Sequence, residues 1–239
     1  MATDEINTAR AGTLLGSDFS LRISEIFCSL QGESSQVGLP TTFVRLTGCP
    51  LRCHYCDTAY AFSGGEVLAV DAILATLSDY AVPNICVTGG EPLAQKQCLP
   101  FLSLLCNHGY RVSLETSGAM DISAVDPRVK RIVDLKTPSS GEVDKNCYDN
   151  MAQLRRQDEV KFVIGDSEDY RWAMQQVAQY NLPDTVENIL FSPVFSVENK
   201  AQASAAIATE LADWIVADRA PVRMQLQLHK LIWGDKPGV

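Results

Sequence analysis

The sequence predicts an α/β fold, a modified or partial (β/α) barrel of the TIM type. Runs rich in β-branched and aromatic residues alternate with amphipathic segments of helix length, and no linker-like stretch divides them. Strands that alternate with helices pair in parallel, and roughly six to eight such units without a break favour a full or partial barrel. The chemistry of such barrels collects at the carboxyl ends of the strands.

The predicted elements follow one another along most of the chain. Strand-like runs cover residues 22–28, 41–47, 84–88, 111–115, 130–136, 159–164, 188–192 and 222–228. Helical periodicity predicts helices over Val70–Tyr80, Leu93–His108, Ser167–Tyr180 and Ala201–Ala217. Asp71 and Ser167 are predicted to cap two of these helices.

The domain organisation is predicted to be simple. Residues 1–20 are polar and lack periodicity, so we expect a flexible extension there. Residues 21–239 are expected to form one domain, because a chain of 239 residues lies within the range of a single α/β domain. With 46% hydrophobic residues, the chain can build a sizeable core.

Charge and hydropathy exclude several classes of function. The formal net charge is −9, so the chain offers no broad positive field for a nucleic-acid backbone, and we expect no direct nucleic-acid partner. The sequence shows neither a signal-peptide pattern nor a membrane-spanning run. We therefore expect a cytoplasmic protein without a membrane partner.

The eight cysteines form two groups. Five of them are scattered, and we expect these to behave as small buried hydrophobic residues: Cys28, Cys86, Cys98, Cys106 and Cys147. The other three lie within eight residues of one another. In a reducing compartment, such a group indicates a metal or catalytic site rather than disulfides.

The grouped cysteines read Cys49-x3-Cys53-x2-Cys56, directly after the strand TTFVRLT. Three thiolates on one loop can bind three irons of a [4Fe-4S] cluster and leave the fourth iron open. Clusters that only carry electrons normally have four cysteine ligands, so three favour chemistry at the cluster. The alternative is a structural zinc site with His108 or His229 as the fourth ligand, although no second C-x2-C pair accompanies the motif.

This cysteine motif resembles the signature of the radical S-adenosylmethionine (SAM) superfamily. Two further segments strengthen the resemblance, VTGGEP at Val87–Pro92 and LETSG at Leu114–Gly118. Glycines in such a turn permit close backbone approach, although a turn before a helix and a plain strand-to-loop turn are the alternatives. The resemblance implies SAM contacts at Tyr55, Cys56, Asp57, Gly90, Glu91 and Ser117.

The superfamily resemblance also implies a first chemical step. The reduced cluster passes an electron to SAM, giving methionine and a 5′-deoxyadenosyl radical that abstracts hydrogen from the substrate. Such a step needs an electron donor, for example flavodoxin or ferredoxin.

Four more segments narrow the resemblance to the 7-carboxy-7-deazaguanine synthase family. They are SLQGES (Ser29–Ser34), FVRLTGC (Phe43–Cys49), CDT (Cys56–Thr58) and DLKTPSSG (Asp134–Gly141). The resemblance runs from about Arg22 to the end of the sequence. It implies a lyase of queuosine biosynthesis, active as a homodimer, that converts 6-carboxy-5,6,7,8-tetrahydropterin to 7-carboxy-7-deazaguanine with loss of ammonia.

The same resemblance implies contacts to this substrate at Leu30, Gln31, Gly32, Arg45, Thr88, His229 and Val239. For Arg45 the strand period agrees, because Phe43, Arg45 and Thr47 share one strand face and an inward Arg45 lies in the barrel mouth. A buried guanidinium needs an anion, and a carboxylate matches it best. The substrate supplies one, and an internal acid, Glu91 or Glu115, is the alternative partner.

The remaining site residues are also implied by resemblance. Thr58 is the expected Mg²⁺ ligand beside the substrate, which suits an ion that prefers oxygen ligands. The SAM side is expected to include Lys136, Pro138, Ser139 and Ser140. Where the family usually reads QGEG this chain has Ser34, a departure within the local turn, and the preceding Glu33 could instead be a helix-start or surface acid.

Two other functions remain open from the sequence alone. A glycyl-radical activating enzyme also carries CxxxCxxC, but it needs a protein partner and has no use for Thr58 or Arg45 as pterin contacts. A non-catalytic metal or iron-sulfur binding module is the second alternative.

Overall fold

A computed structural model describes residues 19–195, 202–234, 236, 238 and 239. The predicted extension over 1–20 lies outside these residues except for its last two, and Ser20 already begins the first strand. Within the described residues, no helix combines the length and the apolarity needed to cross a membrane.

The described residues contain a nine-stranded sheet. Its strands are β1 (Ser20–Leu30), β2 (Pro40–Leu46), β3 (Glu66–Ala69), β4 (Asn84–Gly89), β5 (Arg111–Thr116), β6 (Lys130–Leu135), β7 (Glu159–Ile164), β8 (Asn188–Pro193) and β9 (Arg223–Met224). Their order in the sheet is β3-β1-β2-β4-β5-β6-β7-β8-β9. The seven strands β2 and β4 to β9 pair in parallel, whereas β1 is antiparallel to both β2 and β3.

The helices follow individual strands, as parallel pairing requires. They are α1 (Val70–Tyr80), α2 (Cys98–Asn107), α3 (Ser167–Gln179), α4 (Leu182–Thr185), α5 (Gln202–Asp218) and α6 (Leu228–Trp233). Their buried faces share one core with the apolar strand residues. Helix α1, for example, buries Val70, Ile73 and Leu77, while Val44 and Leu46 enter the core from β2.

The predicted fold class is confirmed, in its partial form, because the sheet is open. All the predicted strand runs contain a strand, but the last is shorter than predicted, and Leu228 begins a helix instead. The strand β3 was missed because four residues are too short for a periodic pattern. The helix predicted from Leu93 begins only at Cys98, after a 3-10 turn over Pro92–Ala94.

Both predicted helix caps are wrong. Asp71 lies in the first turn of α1, whose N-cap is Ala69. Ser167 lies inside α3, and the carboxylate of Asp166 accepts the hydrogen bonds of the first turn. Of the five scattered cysteines, Cys86 and Cys98 are buried as predicted, and the other three are only partly buried.

Candidate active site

A pocket of about 260 Å³ opens at the carboxyl ends of the parallel strands. It collects residues predicted at three places in the sequence. The cysteine loop contributes Cys49, Cys53, Tyr55, Cys56, Asp57 and Thr58. The strand ends contribute Arg45, Thr88, Gly90, Ser117 and Lys136. The first loop and the C-terminal segment contribute Leu30, Gln31, His229 and Val239.

The three cysteines lie on the loop that leaves the carboxyl end of β2. All three are partly buried, and burial raises the pKa of each thiol, that of Cys53 to about 11. The buried ammonium of Lys136 acts in the opposite direction on all three. Iron binding therefore has to displace the thiol protons, and the nearby positive charge favours the resulting thiolates.

The donor set fits an iron-sulfur cluster, because three thiols of one loop line the same pocket. Within the part of the chain that the structure describes, no three His, Cys, Asp or Glu side chains are gathered closely enough to hold a metal ion. A cluster binds each cysteine at a different iron and so needs ligands spread around it. The zinc alternative gains no support, since His108 ends α2 and His229 packs against Gly32.

The glycine turn after β4 is tied to the base of the cysteine loop. A Cβ on Gly90 would lie 2.3 Å from the carbonyl oxygen of Gly48, and one on Gly89 would lie 2.2 Å from that of Leu46. The Gly90 amide donates to the Leu46 carbonyl at 3.1 Å. The two glycines thus let the turn lie directly against the strand that carries the cysteine loop.

Glu91 is more deeply buried than predicted. Its carboxylate is fully enclosed and accepts hydrogen bonds from the Leu93 amide, the Thr116 hydroxyl and both the amide and the hydroxyl of Ser117. It ties the glycine turn to the end of β5, and it does not line the pocket. Its predicted contact with SAM stays a prediction.

The Pro138–Ser140 turn supports the cysteine loop from behind. Ser140 donates to the Thr137 carbonyl at 2.6 Å, and Ser139 donates to the buried carboxylate of Asp169. The backbone amide of His54 in turn donates to the Ser140 carbonyl at 3.0 Å. Pro138, Ser139 and Ser140 do not line the pocket, so their predicted SAM contacts stay predictions.

A row of polar side chains crosses the pocket wall. Strand register places Glu25 opposite Arg45 and Arg45 opposite Thr88, and side chains at paired positions share a face. The Thr88 hydroxyl donates to Glu115 Oε2 at 2.9 Å, and Gln31 Nε2 lies 3.4 Å from Glu115 Oε1. Burial raises the pKa of Glu115.

The internal partner of Arg45 is Glu25, so the proposed alternatives Glu91 and Glu115 are wrong. Arg45 Nε donates to Glu25 Oε1 at 2.7 Å. Sequence reasoning missed Glu25 because it lies on a different strand, and strand pairing cannot be read from periodicity alone.

An ion pair between Glu33 and Lys161 forms another wall of the pocket. Although burial opposes the charge, Lys161 holds the pKa of Glu33 below its ordinary value, and Gln227 donates to the same carboxylate at 2.7 Å. The surface or helix-start role considered for Glu33 is therefore wrong. Sequence reasoning missed Lys161, for which a lone cation inside the apolar run EVKFVI was the available signal.

The C-terminal segment closes one side of the pocket. Lys230 Nζ lies 3.0 Å from Asp57 Oδ2, and although burial opposes the charge, this ammonium holds the pKa of Asp57 well below its ordinary value. The Leu228 amide donates to the Gly32 carbonyl at 3.0 Å. A Cβ on Gly32 would lie 2.0 Å from His229 Nδ1, so only glycine lets the imidazole lie there. Gly32 itself supports the pocket without lining it.

Comparison with known proteins agrees with this geometry. The Radical SAM superfamily model matches residues 43–205, more than half of the chain. The chain is therefore a member of the radical SAM superfamily, whose cofactors are a [4Fe-4S] cluster and SAM.

Two relatives identify the family within this superfamily. The 7-carboxy-7-deazaguanine synthase of Koribacter versatilis is 41% identical over 89% of this chain and 97% of its own length. The enzyme of the same name from Chlorobaculum tepidum is 42% identical over 94% of this chain and its full length. This chain belongs to the 7-carboxy-7-deazaguanine synthase family.

Solved structures share the fold. QueE from Escherichia coli superposes with a TM-score of 0.68 at 24% identity, covering 88% of this chain and 95% of that one. SuiB from Streptococcus suis bound to S-adenosylmethionine gives 0.52 at 12% identity, covering 75% of this chain and 48% of that one. The predicted family, enzyme class and iron-sulfur and SAM cofactors are confirmed, and the two alternative functions gain no support.

Proposed function

We propose that this chain converts 6-carboxy-5,6,7,8-tetrahydropterin to 7-carboxy-7-deazaguanine with loss of ammonia, as a radical SAM lyase of queuosine biosynthesis. One observation carries the proposal beyond family membership. The three cysteines line the same pocket as Arg45, whose terminal nitrogens make no hydrogen bond to the described part of the protein. The pocket therefore joins a cluster-binding loop to a site for a carboxylate.

When bound, the cluster and SAM supply a 5′-deoxyadenosyl radical, and the residues of the chain hold the substrate for it. Arg45 binds the substrate carboxylate through its terminal nitrogens. The rest of the substrate site consists of Leu30, Gln31, Gly32, Thr88, His229 and Val239. The amide of Gln31 and the hydroxyl of Thr88 offer donors and acceptors to the polar edge of a pterin.

The SAM side of the pocket contains residues in two roles. Those with side chains or backbone at the pocket contact SAM directly: Tyr55, Cys56, Asp57, Gly90, Ser117 and Lys136. Those that lie behind the pocket lining hold the walls in place and complete the SAM contacts: Glu91, Pro138, Ser139 and Ser140. Lys136 Nζ lies 3.0 Å from Asp134 Oδ2, and this ion pair holds the ammonium in place beside the pocket.

Magnesium belongs beside the substrate, with Thr58 as its protein ligand. The Thr58 hydroxyl donates to Asp57 Oδ1 at 2.9 Å, which leaves its oxygen lone pairs directed elsewhere. Magnesium commonly takes one or two protein oxygens together with water and substrate oxygens.

We predict that Thr58→Ala raises the Mg²⁺ concentration for half-maximal product formation about tenfold, because the ion loses its protein ligand. Thr76→Ala is the matched control, because Thr76 lies on α1, does not line the pocket and bonds only to its own helix. An unchanged Mg²⁺ dependence in Thr58→Ala removes this residue from the metal site.

The proposal extends to the partners of the enzyme. It works in the cytoplasm, takes electrons from a flavodoxin or ferredoxin and acts as a homodimer. Analytical ultracentrifugation of the cluster-loaded protein tests the dimer, and a single monomeric species at micromolar concentration contradicts it.

The deciding experiment is an anaerobic product assay. Cluster-loaded protein is given dithionite, SAM, Mg²⁺ and 6-carboxytetrahydropterin, and products are identified by mass spectrometry. We expect 7-carboxy-7-deazaguanine. Release of 5′-deoxyadenosine and methionine without this product, from protein with a full cluster, overturns the substrate assignment and leaves the superfamily assignment standing.

A further inference from the structure

The two ends of the Arg45 guanidinium have different surroundings. Its Nε donates to the Glu25 carboxylate at 2.7 Å, and Glu25 is not among the residues that line the pocket. Within the described residues, Nη1 and Nη2 make no hydrogen bond to the protein, and the side chain lines the pocket. Resting on the proposed function, we propose that Glu25 is a positioning residue, which with Tyr60 orients Arg45 toward the carboxylate of the substrate.

A β-bulge brings Glu25 to this place. The pairing of β1 with β2 shifts between Ile23 and Glu25, so that Ser24 is the extra residue of the bulge. In an unbroken ladder Ser24 would oppose Arg45, and Glu25 would point to the other face. The bulge instead sets Glu25 opposite Arg45. Bulges beside active sites commonly redirect a side chain in this way.

Tyr60 fixes the same carboxylate. Its hydroxyl donates to Glu25 Oε1 at 2.7 Å, the oxygen that also accepts from Arg45. Burial and this hydrogen bond raise the pKa of Tyr60 to about 12, so its proton stays available for donation. The hydrogen bond from Tyr60 holds this oxygen independently of the guanidinium.

Aromatic rings complete the orientation. The guanidinium carbon lies 6.0 Å from the ring centre of Phe27 and 5.9 Å from that of Tyr60. Phe27 is itself stacked on Phe43 with ring centres 5.0 Å apart. The guanidinium plane is thus restrained by rings and by one hydrogen bond, while its two terminal nitrogens remain for a bidentate anion.

This arrangement favours ligands that carry a carboxylate. A restrained pair of donors matches a planar carboxylate far better than a neutral substituent, because misplacement of the reacting group costs much of the benefit of binding. We therefore expect Glu25 to matter for pterins with a 6-carboxylate and not for pterins that lack it.

The test compares two ligands in four proteins. The ligands are 6-carboxytetrahydropterin and tetrahydropterin without the carboxylate, bound anaerobically to cluster-loaded protein with SAM and without reductant. The proteins are the wild type, Glu25→Gln, Tyr60→Phe and the control Glu66→Gln, an exposed acid on β3. Iron content and melting temperature are matched first, so that misfolded protein is excluded.

We expect Glu25→Gln to raise the Kd for the carboxylated ligand about tenfold and Tyr60→Phe about threefold, with the other ligand unaffected. Glu66→Gln should change neither. Two further proteins, Arg45→Gln alone and Arg45→Gln combined with Glu25→Gln, should bind the carboxylated ligand equally weakly, because a positioning residue acts only through the residue it positions.

The opposite outcomes overturn the inference. Equal weakening of both ligands means that Glu25 only supports the pocket wall, and full additivity with Arg45→Gln means that it acts elsewhere. If the wild type forms the product yet binds both ligands equally well, the proposed function stands and this inference falls. If the wild type neither binds the carboxylated ligand nor forms the product, both fall.

Discussion

Two arginines at opposite ends of the barrel show how the same side chain serves stability in one place and binding in the other. Arg131 lies near the amino end of β6 and is fully buried with Asp158, which precedes β7. Its guanidinium donates to that carboxylate and also to the carbonyl oxygens of Ile122 and Gln153. All of its nitrogens therefore have a partner within the protein.

Arg45, near the carboxyl end of β2, lines the pocket, has one protein carboxylate on Nε and, within the described residues, has two terminal nitrogens without a protein hydrogen bond. The difference teaches that burial alone does not mark a functional charge. A buried arginine with every donor bonded holds strands together, whereas one with donors left over is prepared for an anion from outside. Substitutions at the two sites should separate these roles.

The largest effect is expected at Arg131, whose nitrogens all have partners within the protein. We predict that Asp158→Asn lowers the free energy of unfolding by about 3–5 kcal/mol, because it leaves a buried guanidinium without its counter-charge. Denaturant titration of the cluster-loaded protein measures this. The matched control is Asp126→Asn, which removes an ion pair whose arginine, Arg128, is half exposed, and it should change the stability less. Equal losses in the two variants contradict the structural role of the Arg131 pair.

Substitution of Arg45 should weaken substrate binding and leave the stability of the protein nearly unchanged. We predict that Arg45→Gln weakens binding of 6-carboxytetrahydropterin about 100-fold, which corresponds to about 2.7 kcal/mol, since two charge-assisted hydrogen bonds are lost. The free energy of unfolding should change by less than about 1 kcal/mol, because its partner Glu25 keeps access to solvent. Anaerobic binding and denaturant titration check the two halves. A large loss of stability with intact binding would reverse the roles of the two arginines.

The smallest effect concerns the loop that joins the two regions, residues 31–39. Ser35 bonds to Glu159 near the amino end of β7, and Glu33 reaches Lys161 in the pocket. Between them Ser34 adopts a φ of 62°, in the left-handed region that favours glycine. The departure from the family pattern therefore falls at a position where glycine is the unstrained choice.

We predict that Ser34→Gly raises the free energy of unfolding by about 0.5 kcal/mol, because relief of backbone strain exceeds the loss of the hydrogen bond that the hydroxyl accepts from Gln36. Ser63→Gly is the control, since Ser63 is exposed with a φ of −151° and should lose stability slightly. A loss of stability in Ser34→Gly means that the hydroxyl contributes more than the strain costs.

Much of this molecule could be predicted because the signals are local. Alternating apolar runs predicted the parallel strands, and the spacing of Cys49, Cys53 and Cys56 predicted a cluster-binding loop. The strand period placed Arg45 on the inner face. Each of these inferences needs only a few neighbouring residues.

What could not be predicted depends on register and on distant pairing. The Glu25 partner of Arg45 exists because of a one-residue bulge, which leaves no pattern in the sequence. The Glu33–Lys161 pair joins residues 128 positions apart. The carboxylate of Glu91 caps the following turn and bonds to the end of β5, and these bonds could not be predicted because they depend on the tertiary structure.

The most direct test is a crystal structure of the cluster-loaded protein with SAM and 6-carboxytetrahydropterin, grown without oxygen or reductant. We predict that the substrate carboxylate lies within hydrogen-bond distance of Nη1 or Nη2 of Arg45, while Glu25 stays on Nε. A pterin bound with its carboxylate away from Arg45, or an Arg45 whose terminal nitrogens are bonded to a protein carboxylate, contradicts the assignment of this pocket.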